Sequence, residues 1–334
     1  MKDGLSYNDV LLVPQYSNLS SRSEVDLSVE LFDRKLRLPI LSSPMDTVTG
    51  IEMQKAMEDA GCLGIHHRYC DKDILLKASL FGPIAVSPSL GTGFIDNLLF
   101  DMLDKPIVVL DVAHGDSKVC YEYAKYCLDK GCIVVSGNIC TPEAARRYID
   151  LGITYLRVGV GPGSACTTRK VAGIGYPQLS AILEINDYLA KNDLEATIIA
   201  DGGIKESGDI VKALAFGASA VILGRLLAGA NEAPGERRQV WLQPENVVPK
   251  TDSDSARKFC MKEDQKQYRG MSSHEALSEA GKEHNIEGTS TWVKEEGPVA
   301  DILDRLERGM RAGLAYCGAR NIQELREKAE WVKV

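Results

Sequence analysis

The chain has 334 residues, of which 44% are hydrophobic and 26% are charged, a composition typical of a soluble globular protein with a large core. A net charge of −8 without any long basic run excludes nucleic acid and anionic membranes as expected partners, since both require clustered Lys and Arg. No apolar run approaches the roughly 20 residues of a membrane helix, and Met1–Gly4 does not open a signal peptide. The sequence therefore predicts a cytoplasmic protein. Its nine irregularly spaced cysteines predict reduced thiols.

Short apolar runs alternate with amphipathic stretches of helical period, which favours a parallel α/β fold. About eight runs read as buried strands, the number that closes a (β/α)₈ TIM barrel. The predicted strands are Leu38–Ser42, Cys62–Ile65, Ile84–Val86, Pro106–Leu110, Cys132–Val135, Tyr155–Val158, Thr197–Ala200 and Ala220–Leu223. Helices are predicted between them at Ser117–Lys130, Thr141–Leu151, Tyr176–Lys191 and Ser207–Phe216. We expect Ser207 to be the N-cap of the last helix, with Gly217 just past its end.

Glycines, carboxylates and a cysteine follow the predicted strands at their C-terminal ends, where barrel enzymes carry their chemistry. The segments concerned are Ser43–Thr47, Asp111–Gly115, Gly137–Asn138, Gly161–Arg169, Asp201–Gly203 and Gly224–Arg225. The small residues of the last two segments are typical of a phosphate site in a barrel.

The segment Gly161–Arg169 offers a single cysteine among residues that leave the backbone accessible. Its glycines permit positive φ and close approach, so several backbone groups can converge on an ion or a phosphate. Cys166 is the only side chain there that can attack carbon, which makes it the candidate nucleophile. A glycine-rich turn with an inert buried cysteine is the alternative interpretation of this segment taken alone.

One stretch, from about Glu236 to Glu296, breaks the alternation of strand and helix. We interpret it as a long insertion after the eighth strand that forms a mobile lid over the barrel mouth. A disordered linker is the alternative, and Lys250–Gln267 has the composition for it. Helices are predicted again at Val299–Ala312 and Ile322–Trp331. The whole chain, 1–334, is then one catalytic domain with residues 236–296 as its lid.

Several motifs together resemble one family over nearly the whole chain, namely Gly4–Val10, Pro44–Val48, Gly161–Arg169, Gly173–Gln178, Asp201–Gly203 and Tyr268–Ser273. Their residues and their order resemble the family of IMP dehydrogenase and GMP reductase. The resemblance implies that Cys166 attacks C2 of a purine nucleotide monophosphate and forms a covalent thioimidate. It also implies a nicotinamide dinucleotide cofactor, a potassium ion and a homotetramer.

The same resemblance assigns residues to three further sites. The substrate-binding residues would be Met45, Ser164, Asp201, Gly202, Gly203, Gly224, Arg225, Tyr268, Gly270, Met271 and Ser272. Of these, Ser164, Gly203, Gly224 and Tyr268 would hold the 5′-phosphate, Asp201 the ribose hydroxyls, and the two methionines the base. The cofactor would border Asp111, Ala113, His114, Gly115 and Asn138. The potassium ion would bind the carbonyl oxygens of Gly161, Gly163 and Cys166.

The lid sequence bears on which of the two reactions the resemblance implies. Dehydrogenases of the family activate water with an Arg-Tyr pair on this segment, yet residues 274–286 contain neither arginine nor tyrosine. Thr168 and Glu287 match the family's pair for protonating a leaving amine, which favours NADPH-dependent reduction of GMP to IMP with loss of ammonia. Only fifteen residues, 69–83, separate Arg68 from the third predicted strand, so we expect no regulatory module after the second.

Two alternatives stay open beside the reductase. Leu227–Gly229 and Arg311–Cys317 are more similar to a bacterial dehydrogenase, so one alternative is an IMP dehydrogenase without regulatory modules that uses NAD. The other is a nucleotide-binding protein without turnover, suggested by the atypical lid. His66 and His67 are not expected to bind a metal, because adjacent residues of a strand point to opposite faces.

Overall fold

The computed structural model of the chain describes residues 4–101, 105–242, 261–271, 273 and 288–334, with backbone alone at 97–101, 242 and 261. Three short strands precede the barrel, β1 Val10–Val13, β2 Val29–Leu31 and β3 Arg34–Leu36. Strands β2 and β3 form an antiparallel hairpin. Its apolar residues Leu31, Phe32 and Leu36 are buried against the inward-facing residues of the barrel. The hairpin therefore closes one end of the barrel interior.

Eight parallel strands form the central sheet in the order β5-β4-β11-β10-β9-β8-β7-β6. They are β4 Ile40–Ser42, β5 Leu63–Gly64, β6 Ile84–Val86, β7 Ile107–Leu110, β8 Ile133–Ile139, β9 Tyr155–Val158, β10 Thr197–Asp201 and β11 Ala220–Leu223. Beyond the end of β5, the His66 N–H donates to the Pro83 carbonyl at 3.0 Å, and the His66 carbonyl accepts from Ala85 at 2.8 Å. These bonds join the two edges of the sheet. The predicted (β/α)₈ barrel and all eight predicted strands are confirmed.

Helices alternate with these strands along the described part of the chain. They are α1 Ile51–Asp59, α2 Lys72–Ser79, α3 Thr92–Asp101, α4 Lys118–Asp129, α5 Pro142–Asp150, α6 Thr168–Val171, α7 Gln178–Lys191, α8 Ser207–Ala215 and α9 Arg225–Ala228. The start of α5 shows why the sequence forms a helix there. Pro142 occupies the first turn, and the Thr141 side chain accepts a hydrogen bond from the Ala144 N–H at 3.3 Å.

The predicted capping of α8 is half right. Ser207 is the first helical residue, and the N-cap is Glu206. The Asp209 side chain accepts from the Lys205 N–H at 2.9 Å, so an aspartate inside the first turn satisfies a backbone donor just before the helix. Gly217 follows the helix with φ of +117°, as its predicted place after the helix end requires.

The insertion after α9 forms a three-stranded antiparallel sheet. Its strands are β12 Arg237–Leu242, β13 Met261–Arg269 and β14 Ser290–Lys294, with β13 in the middle. The interpretation of residues 250–267 as a disordered linker is therefore wrong for 261–267, where paired backbone hydrogen bonds order the chain. Residues 243–260, 272 and 274–287 lie outside the described part, so the expected mobile lid stays a prediction.

The C-terminal region packs back on the barrel through α10 Val299–Tyr316 and α11 Ile322–Lys328. The predicted second helix, Ile322–Trp331, is wrong in its last residues, which form β15 Glu330–Lys333. This strand pairs antiparallel with β1, Val10 opposite Lys333. A partner more than 300 residues away overrides the local helical pattern. Among the described residues, no helix is long and apolar enough to cross a membrane.

Candidate active site

A cavity of about 200 Å³ opens at the C-terminal ends of the barrel strands. Loops after several strands and the end of β13 supply its walls. The lining includes Met45, Arg68, Tyr69, Asp111, Ala113, Asn138, Arg157, Gly161, Gly163, Cys166, Thr168, Asp201, Gly202, Tyr268, Gly270 and Met271. A recess beside it shares part of this wall and adds Ser164, Gly203, Lys205, Gly224 and Arg225. Most of the residues predicted for the site therefore meet at one end of the barrel.

The cysteine loop places the Cys166 thiol beside a hydroxyl. Gly161 has φ of +82°, which only glycine adopts readily, and the Cys166 N–H donates to the Gly163 carbonyl at 3.1 Å. This turn leaves Cys166 half-buried in the cavity wall, with Sγ 3.1 Å from Oγ1 of Thr168. The thiol is within hydrogen-bond reach of a side chain that can stabilise or relay charge during nucleophilic attack.

Other cysteines differ from Cys166 in their surroundings. Cys127 and Cys132 are buried in the core, where burial raises the pKa of the first thiol to about 12 and of the second to about 11. Burial also raises the pKa of the Cys62 thiol to about 12. Such thiols stay protonated at neutral pH and lack a path to a ligand. These three cysteines are residues of the core.

Two segments of the insertion form the roof over the cysteine loop. The Gly270 N–H donates to the Thr289 carbonyl at 3.0 Å, and the Thr289 N–H donates to the Ala165 carbonyl at 3.0 Å. Gly288 forms an antiparallel bridge with Cys166. A Cβ at Gly270 would lie 2.8 Å from the Ala165 oxygen, so the close contact requires glycine. Glu287 and Ser272 lie outside the described residues. Gly288, which follows Glu287 in the chain, is the residue paired with the cysteine.

A buried ion pair fastens this roof to the loop after β4. Arg269 and Asp46 have side chains only 7% and 10% exposed, and Nη2 of the arginine lies 2.6 Å from Oδ2 of the aspartate. The backbone joins the same contact, because the Arg269 N–H donates to the Thr47 hydroxyl and the Asp46 N–H lies 3.2 Å from Sδ of Met271. The pair holds the start of the roof on the barrel and directs Met271 toward the cavity.

Charged side chains form a network at the cavity floor. Arg157, 5% exposed, donates from Nε to Oδ2 of Asp201 at 2.9 Å, and its Nη1 lies 3.3 Å from Oδ1 of Asp111. Burial lowers the pKa of Arg157, but the two carboxylates outweigh burial and hold the pKa above its ordinary value. The Asn138 side-chain amide also donates to Asp201, at 2.7 Å. The aspartate oxygens are thereby held at fixed positions beside the cavity.

Arg68 and Arg157 are site residues that sequence reasoning missed. Arg68 donates from Nε to Oδ2 of Asp111 at 3.1 Å, and its guanidinium lies 4.4 Å from the centre of the Tyr69 ring. A signal for Arg157 was present, since an arginine inside a predicted buried strand needs partners of opposite charge. Its partners are distant in sequence and cannot be identified from the pattern.

The recess has the chemistry of an anion site. The hydroxyl oxygens of Ser164 and Tyr268 are 3.2 Å apart, and the cationic side chains of Arg225 and Lys205 line the same space. Burial raises the pKa of Tyr268, against a smaller lowering by the Ser164 hydrogen bond, so the phenol stays a neutral donor. A Cβ at Gly224 would lie 3.2 Å from the Tyr268 hydroxyl. This contact explains the glycine.

Two residues predicted beside the cofactor do not line the cavity. The His114 side chain is exposed. Gly115 is buried, and its N–H donates to the Asn138 carbonyl at 2.9 Å, while its own carbonyl accepts from the Tyr148 hydroxyl at 2.7 Å. The hydrogen bonds of Gly115 fix the loop outside the cavity. Asp111, Ala113 and Asn138 do line the cavity and are available to a second ligand beside the thiol.

The carbonyl groups predicted for a potassium ion belong to the same turn as the thiol. The Gly163 carbonyl accepts from the Cys166 N–H and retains a second lone pair. Within the described residues, no group of three or more His, Cys, Asp or Glu is arranged to hold a metal. Carbonyl oxygens are hard ligands, so the turn suits an alkali cation better than a transition metal.

Comparison with known proteins gives a consistent family. The family model described as "IMP dehydrogenase / GMP reductase domain" matches residues 4–77 and 95–334. An inosine-5′-monophosphate dehydrogenase of Aquifex aeolicus is 42% identical over 481 aligned positions, which cover 100% of this chain and 94% of that protein. A GMP reductase of Ascaris suum is 32% identical, covering 99% and 93%. The dehydrogenase of Halalkalibacterium halodurans is 40% identical, but the match covers 68% of this chain and 45% of that relative.

Proposed function

The chain belongs to the IMP dehydrogenase / GMP reductase family of oxidoreductases, and we propose that within this family it is a GMP reductase that uses NADPH. The observation that carries the proposal is the arrangement around Cys166, with Thr168 Oγ1 at 3.1 Å and Gly288 bridged to the cysteine backbone. That bridge places Gly288, the residue after Glu287, close to the thiol. If the Glu287 carboxyl group lies there as proposed, it and the Thr168 hydroxyl would form a path that can deliver a proton to a leaving amine.

The proposed reaction breaks the bond between C2 and its amino group. The Cys166 thiolate adds to C2 of GMP, and the amine leaves as ammonia after it takes up a proton through Thr168 and Glu287. The resulting thioimidate links C2 to Sγ. When bound, the reduced dinucleotide supplies a hydride to C2, and its nicotinamide is oxidised. The C2–S bond then breaks, which releases IMP and returns the thiolate, so the sum consumes GMP, NADPH and two protons and gives IMP, NADP⁺ and ammonium.

Each part of the nucleotide has complementary groups in the proposed site. The recess formed by Ser164, Tyr268 and Arg225 suits the 5′-phosphate, and the fixed oxygens of Asp201 suit the ribose hydroxyls. Met45 and Met271 line the remaining wall and offer apolar contact to the base. Further substrate contacts would come from the backbone of Gly202, Gly203, Gly224 and Gly270 and from Ser272.

The proposed cofactor binds on the other side of the thiol. Asp111, Ala113 and Asn138 would border the nicotinamide ribose, because they line the cavity with Cys166 but not the phosphate recess. The carbonyl oxygens of Gly161, Gly163 and Cys166 would hold a potassium ion that stabilises the turn carrying the nucleophile.

The proposed enzyme is a cytoplasmic homotetramer made of single catalytic domains. One short helix, α2, lies between β5 and β6, where a regulatory module would otherwise be inserted. The alignment with the Aquifex aeolicus dehydrogenase also spans more positions than this chain has residues. Light scattering on the purified chain tests the tetramer directly.

IMP dehydrogenase is the second candidate, and identity favours it. The dehydrogenases of Aquifex aeolicus and Halalkalibacterium halodurans are 42% and 40% identical to the chain, whereas the reductase of Ascaris suum is 32% identical. Against it stands the segment 274–286, which has neither arginine nor tyrosine to activate water for hydrolysis of the thioimidate. A dehydrogenase would therefore need another base in the cavity.

Two parallel assays test the choice. Absorbance of the reduced nicotinamide is followed with GMP and NADPH, and separately with IMP and NAD⁺, both with potassium present. Consumption with GMP together with ammonia release supports the reductase. Production with IMP identifies a dehydrogenase and contradicts the proposal, and binding without turnover in either assay identifies a nucleotide-binding protein.

The role proposed for Glu287 has its own test. Glu287→Gln removes the ionisable proton, so we expect at least a tenfold slower release of ammonia and a smaller effect on hydride transfer, measured as separate steps in rapid-mixing experiments. Glu283→Gln, a change of the same kind four residues earlier, serves as the control and should leave both steps unchanged. Equal slowing of the two steps by Glu287→Gln would remove the assigned role.

A further inference from the structure

Tyr7 is a buried aromatic residue that the proposed chemistry does not use. It begins a single turn of 3₁₀ helix, Tyr7–Asp9, near the start of the chain and is 3% exposed. Its hydroxyl has no hydrogen-bond partner within the described residues, although buried phenols normally have one. Burial also raises the pKa of Tyr7, with further raising by Asp209 and Asp201, so the group is neutral. The contacts that the structure gives Tyr7 are therefore those of its ring and its backbone carbonyl.

The Tyr7 ring lies beside residues 202–205, which follow β10 and line the anion recess. We call this segment the recess loop. A Cβ at Gly203 would be 3.4 Å from Cε2 of Tyr7 and 3.3 Å from Cβ of Pro162. Gly203 has φ of +83°, a left-handed conformation that glycine adopts readily, and the two rings occupy the space that a side chain there would need. Movement of the tyrosine ring would release one side of the loop.

Polar contacts fix the tyrosine to the helix that follows the same loop. The Tyr7 carbonyl accepts from Nζ of Lys212 at 2.8 Å, and that ammonium is 3.7 Å from Oδ1 of Asp209. The other Asp209 oxygen accepts from the Lys205 N–H at the end of the recess loop. The segment before Tyr7 is fixed as well, because Leu5 and Ser180 exchange two hydrogen bonds, at 2.8 and 3.1 Å. These bonds connect the N-terminal segment to α7, to α8 and, through Asp209, to the recess loop.

From these contacts we propose that Tyr7 is a positioning residue for the phosphate group of the nucleotide. Its ring supports Gly203 from below, so that the recess loop keeps a geometry in which the backbone, Arg225 and Ser164 converge on a dianionic phosphate. The inference rests on the proposed nucleotide binding and is independent of which reaction follows.

The test compares two substitutions at Tyr7 with ligands that do or do not carry phosphate. Dissociation constants are measured by calorimetry for GMP and IMP and, as the unphosphorylated pair, for guanosine and inosine. Tyr7→Phe keeps the ring and should bind all four ligands within about twofold of the unsubstituted chain. Tyr7→Leu removes the support and should weaken both nucleotides about tenfold, a change of about 1.4 kcal/mol, while leaving the nucleosides within twofold.

A double-mutant cycle with Gly203→Ala tests whether Tyr7 acts through the loop. Because the alanine methyl group would contact the tyrosine ring, the two changes should be coupled and their effects on nucleotide affinity should not add. If Tyr7→Leu does not fold, Lys212→Met, which removes the donor to the Tyr7 carbonyl, should weaken the nucleotides about threefold without affecting the nucleosides.

Three results would overturn the inference. One is unchanged nucleotide affinity in Tyr7→Leu, and another is an equal loss for nucleotides and nucleosides, which would indicate general damage to the site. A third is a loss in Tyr7→Phe as large as in Tyr7→Leu. Failure of the unsubstituted chain to bind either nucleotide would instead overturn the proposed function together with this inference.

Discussion

The barrel and the sheet inserted after α9 contribute to the same cavity but are held in place by different forces. The barrel packs Leu41, Val109 and Ile222 and their neighbours into an apolar interior, and its cysteine loop continues from a strand paired on both sides. The inserted sheet also buries Tyr268 and Val293 in the main core, but its attachment includes buried charged groups that have no counterpart in that apolar interior. Hydrophobic packing is spread over many contacts, whereas each polar anchor depends on one geometry.

Two buried cations show this second kind of attachment. Lys266, 1% exposed, donates from Nζ to the carbonyls of Ala230 at 2.7 Å and of Ala233. Arg269 is paired with Asp46. Burial lowers the pKa of Lys266, as expected for an ammonium group taken out of water. The proposed nucleophile, Cys166, therefore has a rigid support, and the roof has a few anchors whose loss should free it without unfolding the barrel.

Removal of the proposed nucleophile should have the largest effect of any single change. Cys166→Ala leaves nothing to form the bond with C2, so turnover should fall by about four orders of magnitude or more, measured as nicotinamide oxidation or reduction under saturating substrate. Nucleotide affinity should stay within a fewfold, since the recess is unchanged. Cys140→Ser, a change to a half-buried thiol that does not line the cavity, is the control. Retained turnover in Cys166→Ala would exclude covalent catalysis.

Disruption of the roof anchor should come next in size. Arg269→Met removes one member of a buried ion pair, which typically costs 3–5 kcal/mol. We expect hydrogen exchange in β13 to quicken by about 100-fold or more, corresponding to about 3 kcal/mol of local stability. Exchange in barrel strand β10 should not change.

The matched control for this anchor is the double variant Asp46→Leu with Arg269→Met. It replaces both charges by apolar groups and should recover much of the lost protection, because no unpaired charge remains. Equal acceleration in β10 and β13 after Arg269→Met would contradict the distinction between the two regions.

Sequence pattern identified the barrel because buried parallel strands are short and continuously apolar. The same pattern placed the glycines and the cysteine at strand ends, and the cavity is lined there by Cys166, Asp201 and Gly161. The pattern could not identify the partners of Arg157, since Asp111 and Asp201 lie more than 40 residues away on either side.

Strand pairing between distant parts of the sequence also explains why the helix predicted near the C-terminus is wrong in its last residues. The predicted helix extends over residues 330 and 331 because the prediction uses only the local pattern, yet these residues begin the strand that pairs with β1 at the opposite end of the sequence. The shared site predicted for Tyr268 and Ser164 likewise came from the family resemblance alone. No local spacing connects two residues about 100 positions apart.

The smallest expected effect concerns His67, at the boundary between the two regions. Burial lowers the pKa of His67 to about 3, with further lowering by the charges of His66 and Arg269 against the raising effect of Asp111. The unfolded chain takes up a proton near pH 6.5, whereas the folded chain does not until about pH 3. Stability should therefore be complete above pH 6.5 and decline as the pH falls, by about 1–2 kcal/mol at pH 5.

Chemical unfolding at pH 7 and pH 5 measures this loss. His67→Gln cannot be protonated, so the difference between the two pH values should shrink by about 1–2 kcal/mol, while His114→Gln, a change to an exposed histidine, should leave it unaltered. If His67→Gln and the unsubstituted chain lose the same stability, the histidine is not buried in its neutral form. The loop after β5 would then be open to water. The contrast between a tightly packed barrel and a roof held by polar anchors would not apply on this side of the cavity.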